Sequence, residues 1–256
     1  MTIASYYGFP TQEKYDAAKE AIVGIECEIE GLYGEQFFDG FQTTKDGSLR
    51  HNGYEFISKP RSVTETVQIF KFLHDNISLV DVAEGNFSRR TSTHVHMNCR
   101  SMDFKQIHKL IMLYALYEEV FFLMVDKERR GNIHCVPLTE TYLPSIYSLH
   151  VPHLRDRWHK YTALNILPLS QQGTVEFRHL QGTNDPSLLL EWLTCLENLW
   201  KLALSVEFSV EELSNKEKIT EWFKDIFGHS KKIMALEPAL ESLTANTLLD
   251  VKFSFV

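Results

Sequence analysis

The chain has 256 residues, 44% of them hydrophobic and 12% aromatic, which excludes a disordered chain and allows a sizeable core. A formal net charge of -8 argues against bulk binding to nucleic acid or to an anionic membrane, while leaving room for a local basic pocket. The cysteines, Cys27, Cys99, Cys135 and Cys195, are scattered without a C-x-x-C pair, which fits a reducing, cytoplasmic setting rather than a disulfide framework or a zinc ribbon.

The N-terminal "MTIASYYGFPTQEKYDAAKE" lacks the basic start and apolar run of a signal peptide and predicts a short helix. "IVGIECEIEGLY" then alternates with period two. Val23, Ile25, Cys27 and Ile29 take one face, and Glu26, Glu28 and Glu30 the other. "GYEFISKP" reads as a second strand, ended by Pro60. "SVTETVQIFKFLHDN" predicts a helix with Ser62 and Glu65 at capping-box spacing and an apolar stripe of Val63, Val67, Phe70 and Leu73.

"STHVHMN" alternates again, setting Val95 and Met97 against His94, His96 and Asn98. "DFKQIHKLIMLYALYEEVFFLMV" predicts one long helix capped by Asp103 and Gln106. His108, Lys109, Glu118 and Glu119 make it a buried helix rather than a membrane span. "ERRGN" reads as its basic end. "TALNIL" and "TVEFRHL" are strands around the turn "SQQG". "DPSLLLEWLTCLENLWKLAL" is a helix with Asp185 as N-cap and Pro186 at its first position, and the remainder is helical. Without repeats or linkers, one domain over 1–256 is expected, α+β with a largely antiparallel sheet.

The strands share a design. Each has an apolar face, and the opposite faces carry Glu26/Glu28/Glu30, Glu55, His94/His96/Asn98 and Glu176/Arg178. Same-face neighbours lie about 7 Å apart. Two carboxylates at that distance repel by roughly 2.4 kcal/mol at an effective dielectric of about 20, and by about 0.6 kcal/mol in water. An open acidic face therefore costs little, whereas a closed one needs a cation. Taken singly, E-x-E is an exposed edge, H-x-H a surface or zinc-binding pair, and E-x-R an ion pair. Together they favour a shared cation site. Carboxylate oxygens with one or two imidazoles suit magnesium or manganese better than zinc, and magnesium points to nucleotide phosphates. Arg178 beside that face suits a transferring phosphoryl group. A zinc hydrolase built on His94 and His96 is the alternative enzyme class. Neither a Walker A sequence nor G-x-G-x-x-G is present.

"GIECEIEG", "KDGSLRHNGYEFISKP", "STHVHMN", "ERRGN", "KYTALNIL" and "TVEFRHLQGT" occur in the order seen in the amidoligase family, which the chain resembles from about Ile22 to Thr183. That family is similar to the carboxylate-amine ligases of the glutamine synthetase and glutamate-cysteine ligase superfamily. The resemblance implies a glutamine synthetase-like curved antiparallel sheet with helices on one face and a helical C-terminal part over 185–256. It implies ATP and two or more magnesium (or manganese) ions on the concave face. Glu26, Glu28, Glu55, His94 and Glu176 match metal ligands. His96, Arg178 and Lys160 fall on the nucleotide side, and Asp46, Tyr161 and Asn165 on the substrate side. Glu176, Arg178 and Arg130 are the catalytic expectations, with Glu176 and Arg178 directed at the bound nucleotide rather than at each other.

The reaction so implied joins a small-molecule or peptide carboxylate to an amine through an acyl phosphate. A non-catalytic nucleotide-binding relative would keep the same residues. Where family members carry an arginine before the tyrosine of "KYTALN", this chain has Lys160, which keeps the charge but not the planar fork; Arg157 can substitute. Family members occur in bacteria and phages, so the expected location is the cytoplasm, that of the host if the chain is phage-encoded.

Overall fold

The alternation in "IVGIECEI" becomes β1 (Ile22–Ile29), the strand around which the sheet is built. The computed structural model describes residues 1–140, 151–206 and 208–253. In it β1 pairs with β3 (Tyr54–Ser58), β4 (Arg61–Ser62) and β5 (Thr93–Asn98). Beyond β3 lies β2 (Phe41–Lys45); beyond β5 lie β7 (Thr174–Phe177) and then β6 (Leu164–Asn165). The order β2-β3-β1-β5-β7-β6, with β4 beside β1, makes a seven-stranded sheet whose named pairings are all antiparallel. The α+β expectation holds.

One face of the sheet is apolar because of the strands' period of two. Val23, Ile25, Cys27, Ile29, Phe56, Val95, Met97, Val175 and Phe177 are all buried there. The Val63–Asn76 helix lies against β1, and the Pro186–Ser205 helix packs on both it and the Phe104–Leu116 helix. Burial of a large apolar side chain contributes roughly 1.5–3 kcal/mol. Phe177, Trp192 and Trp200, all essentially inaccessible, thus make the sheet a stiff platform for its other face.

The caps lie where the sequence put them. Ser62 and Glu65 form a capping box, as do Asp103 and Gln106, and Asp185 accepts from Ser187 N at 2.8 Å. The Lys216–Phe227 and Leu240–Phe253 helices make the C-terminal part helical and extend the core through Trp222, Phe223 and Val251. Among the described residues no helix is long and apolar enough to cross a membrane.

Three local expectations differ from the structure. The long helix breaks at Tyr117 (φ -110, ψ 16) into Phe104–Leu116 and Glu118–Met124. At the break Tyr117 Oη donates to Ile219 O at 2.6 Å, and the buried Glu118 carboxylate accepts from Leu138 N and Thr139 N. "ERRGN" is not the end of that helix: its Glu128 and Arg129 lie in a separate 3-10 turn, Lys127–Arg129, capped by Asp126. "TALNIL" is a strand only at Leu164–Asn165. Asn165 Oδ1 then accepts from Leu167 N at 3.0 Å, and the chain turns into the 3-10 segment Leu167–Ser170. β2 carries the polar run "FQTTK", which has no alternation to reveal it and suits a half-exposed sheet edge.

Candidate active site

The face opposite the core gathers the polar residues by register. Glu28 stands opposite Glu55, Glu26 opposite His94, His96 opposite Glu176, and Asn165 opposite Glu176. His94 Nδ1 is 3.4 Å from Glu26 Oε2 and 3.3 Å from Glu176 Oε1, and His96 Nε2 is 3.1 Å from Glu26 Oε1. Ligand atoms of three sets lie close enough to share an ion: Glu26 with His96 and Glu176, Glu26 with Glu55 and His94, and Glu28 with Asp46 and Glu55. Glu26 and Glu55 each belong to two sets, so the sets form one continuous cluster. Glu30, next on that face of β1, is instead taken up by a loop: its Oε1 accepts from Arg50 N at 2.7 Å.

Hydrogen counting tests whether this cluster suits a cation. Ser92 Oγ donates to Glu28 Oε2 at 2.6 Å, and its backbone N–H donates to the same oxygen at 2.7 Å. The hydroxyl has a single proton, so towards His94 Nε2, 2.7 Å away, it accepts. His94 therefore carries its proton on Nε2. Nδ1 then faces two carboxylates, an arrangement that demands positive charge there, as a proton on the ring or as a cation. A ligating histidine anchored through its other nitrogen is the usual arrangement at a metal. The donor chemistry thus fits a divalent cation.

The electrostatics agree. Burial, followed by the charges of Glu26, Glu28 and Asp46, pushes the Glu55 carboxyl up to about 8. Burial also works against ionised Glu26, but hydrogen bonds and charge from His94 and His96 outweigh it and hold that carboxyl well below its usual range. Burial similarly opposes the charged form of His96, yet Glu26 raises its pKa.

Two cavities flank the cluster. The first, of about 420 Å³, opens on the Glu26 and His96 side, with Tyr15, Ile22, Gly24, Ile57 and Pro60 in its walls. The N-terminal segment completes it: Asn98 Nδ2 donates to Tyr15 O at 2.9 Å, while Arg100 binds Asp16 Oδ1 and Pro10 O at 2.6 Å each. The second, of about 280 Å³, opens beyond Glu28 and is lined by Asp46, Arg90, Arg129, Lys160, Tyr161 and Arg178 among others.

Most of the expected site residues therefore come together, with some differences. Arg178 Nη1 pairs with Glu176 Oε1, so here the two face each other rather than a common third group. Asp46, expected on the substrate side, lines the second cavity and also joins the carboxylate cluster. Asn165 lines neither of these two cavities and instead holds Glu176 Oε2 through its Nδ2 at 2.7 Å. Lys160 lies across the cluster from the cavity that His96 lines.

Arg130 lies apart. It pairs with Glu119 at 2.8 Å and Glu140 at 3.4 Å and stacks on Phe122. Its neighbour Arg129 is the one directed inward. Arg129 is buried, donates to His179 O at 2.9 Å and to Arg178 O at 2.6 Å, and so fixes the strand end that bears Arg178. "ERRGN" offers no signal for choosing between them; the turn at Lys127–Arg129 decides. Ser92 was legible, since S-x-H-x-H carries the period of two one step further back.

A mixed sheet-and-helix fold with one buried face and a carboxylate–imidazole cluster on the other defines an α+β protein with the donor set of a divalent-cation site. The family model described as "Putative amidoligase enzyme" matches residues 53–200, and the chain belongs to that family. The match spans Glu55, His94, His96, Glu176 and Arg178, while β1 brings Glu26 and Glu28 to them by pairing with β3 and β5. Among solved structures, a glutamine synthase homolog aligns at a TM-score of 0.40 and 12% identity, covering 95% of this chain and 67% of its own. The ligase PafA, in complex with the prokaryotic ubiquitin-like protein Pup, aligns at 0.40 and 10% identity, covering 91% of this chain and 64% of its own. The chain thus spans about two thirds of the length of each. No curated protein matches it.

Proposed function

We propose that the chain is an ATP-dependent carboxylate-amine ligase that works through an acyl phosphate. The observation that carries this reading is the meeting of Glu26, Glu28, Glu55, His94 and Glu176 on one sheet face beside Arg178, in a member of an amidoligase family. The overlapping ligand sets suit two or more ions, and mostly carboxylate donors suit magnesium or manganese over zinc. When bound, such ions neutralise the phosphates and hold attacking and leaving oxygens in line.

The chain's own residues do the rest. The cavity beside His96 has the apolar walls a nucleobase needs, in Ile22, Ile57 and Pro60. A substrate carboxylate oxygen attacks the γ-phosphorus of ATP, forming the acyl phosphate and releasing ADP. An amine then adds to the acyl carbon, phosphate leaves with the C–O bond electrons, and the amine loses a proton. Arg178 is placed to stabilise charge on the transferring group, supported from behind by Arg129. Ser92 and Asn165 orient Glu28, His94 and Glu176. Tyr161 and Lys160 wall the acceptor side.

The test is magnesium-dependent ADP release that requires both a carboxylate and an amine. Glu176→Gln abolishes it while circular dichroism and the melting temperature stay near wild type. Undiminished turnover in that variant overturns the proposal. Nucleotide binding without ADP formation across a broad substrate panel indicates a non-catalytic relative, and tightly held zinc indicates a hydrolase.

A further inference from the structure

We propose that residues 10–16 form a clamp that closes over the nucleotide, with Gln12 and Tyr15 against its base and the Arg100–Asp16 ion pair as the latch. The inference rests on the ligase reading and assigns base recognition to a segment outside the stretch that the family model matches, 53–200.

Placement is the first argument. The sheet forms the floor of the first cavity, where Gly24 stands opposite His96 beside Glu26. Gln12 and Tyr15 line the same cavity from a segment that belongs to no strand of the sheet. Gln42 lines it from β2, and Gln172 from the turn before β7. With Gln12 they bring three side-chain amides, each with donors and an acceptor, to a space whose other walls include the apolar Ile22, Ile57 and Pro60. An amide can pair with the polar edge of a purine, and an apolar or aromatic wall covers its face. Phosphates alone would use neither.

Attachment is the second argument. The segment is bounded by fixed points: Ile3 is buried and its N–H donates to Met102 O at 2.8 Å, and Ile22 begins β1. In between, the helix Glu13–Asp16 buries no side chain, and none of residues 10–16 belongs to the core. Polar contacts fasten it instead. Buried Arg100 donates through Nε to Asp16 Oδ1 and through Nη2 to Pro10 O, at 2.6 Å each. Asn98 Nδ2 donates to Tyr15 O at 2.9 Å, and Lys14 Nζ reaches Pro60 O at 3.4 Å. Asp16 Oδ2 also accepts from Gln12 N at 2.8 Å, so one carboxylate joins the latch to a residue of the cavity wall, and Tyr15 is its neighbour in sequence. The hydrogen bond from Arg100 holds the Asp16 carboxyl below its ordinary range, which keeps the latch charged at neutral pH. A segment fastened by a few polar bonds and no buried apolar side chain opens without unfolding the sheet. Opening admits ATP and releases ADP; closing covers the base.

Two measurements on the whole chain with magnesium test this. In limited proteolysis, trypsin cuts after the exposed Lys14 only when the segment is open. With a non-hydrolysable ATP analogue at about ten times its Kd, that cleavage should slow roughly tenfold. Asp16→Asn, which keeps the shape of the latch but not its charge, should speed the cleavage in the nucleotide-free chain. Calorimetry then compares the analogue with tripolyphosphate, which carries the phosphates without the base. Tyr15 takes no part in the core, so Tyr15→Ala leaves the fold intact. The variant should bind the analogue roughly tenfold or more weakly, the effect of losing an aromatic contact to a base, and bind tripolyphosphate as wild type does. Analogue binding without protection of Lys14, wild-type analogue affinity in Tyr15→Ala, or equal losses for the analogue and tripolyphosphate would each overturn the inference and leave the ligase reading standing. Failure of the wild-type chain to bind the analogue overturns the ligase reading and this inference with it.

Discussion

Glu28 and Glu55 face each other in register across β1 and β3, and Thr44 Oγ1 on β2 donates to Glu55 Oε2 at 3.3 Å. Antiparallel pairing normally penalises like charges placed opposite each other. Here the neighbouring apolar residues fix the register. Cys27 pairs with Phe56 and Ile29 with Tyr54, and their burial on the core face holds the two acids together on the other.

That pairing makes stability depend on pH and on metal. The folded-state pKa of Glu55, about 8, lies above its ordinary 4.5. The folded chain therefore binds more protons than the unfolded one between those values. The resulting stability is fully present below pH 4.5 and is lost as pH rises through about 8. With chelator present, the melting temperature should fall across that window. Millimolar magnesium should restore it at the alkaline end, because a cation favours the ionised carboxylate. Calorimetric scans of wild type and Glu55→Gln check this: the variant should show a flatter pH profile and a smaller magnesium effect. An unchanged slope in Glu55→Gln would assign the dependence elsewhere.

Ser92 supports two ligand candidates at once, binding Glu28 Oε2 and orienting His94. Ser92→Ala removes the hydroxyl but keeps the backbone N–H bond to Glu28. Loss of such a supporting hydrogen bond typically lowers metal affinity 10–100-fold. Manganese titration followed by electron paramagnetic resonance should show a weakening of about that size. Far-ultraviolet circular dichroism should be unchanged. Wild-type manganese affinity in Ser92→Ala would remove His94 from the ligand set.

Much of this architecture was readable because periodicity is local. The period of two placed Glu26, Glu28, His94, His96 and Glu176 away from the core on their strands, and the capping boxes at Ser62 and Asp103 marked helix starts. What eluded the sequence depends on partners distant along the chain. The break at Tyr117 goes with hydrogen bonds to Ile219, Leu138 and Thr139. The inward turn of Arg129 rather than Arg130 depends on carbonyls some 50 residues away. The pairing of Arg178 with Glu176 was one of two readings open to E-x-R, and spacing does not distinguish them.

Gly24 shares the face of β1 that bears Glu26 and Glu28, stands opposite His96, and lines the first cavity. A Cβ there meets Ser58 O at 3.6 Å, an ordinary contact, so the backbone tolerates a side chain. Gly24→Val should then fold, since a β-branched residue suits a strand. Its methyl groups would occupy the floor of the space assigned to the nucleobase. Calorimetric titration with the ATP analogue should show affinity reduced at least tenfold, an effect of about 1.4 kcal/mol or more. Manganese binding should be unaffected, because the cluster is built from other side chains. Unaltered nucleotide affinity in Gly24→Val would place the base elsewhere. Loss of manganese binding as well would mean that the substitution had displaced β1 itself.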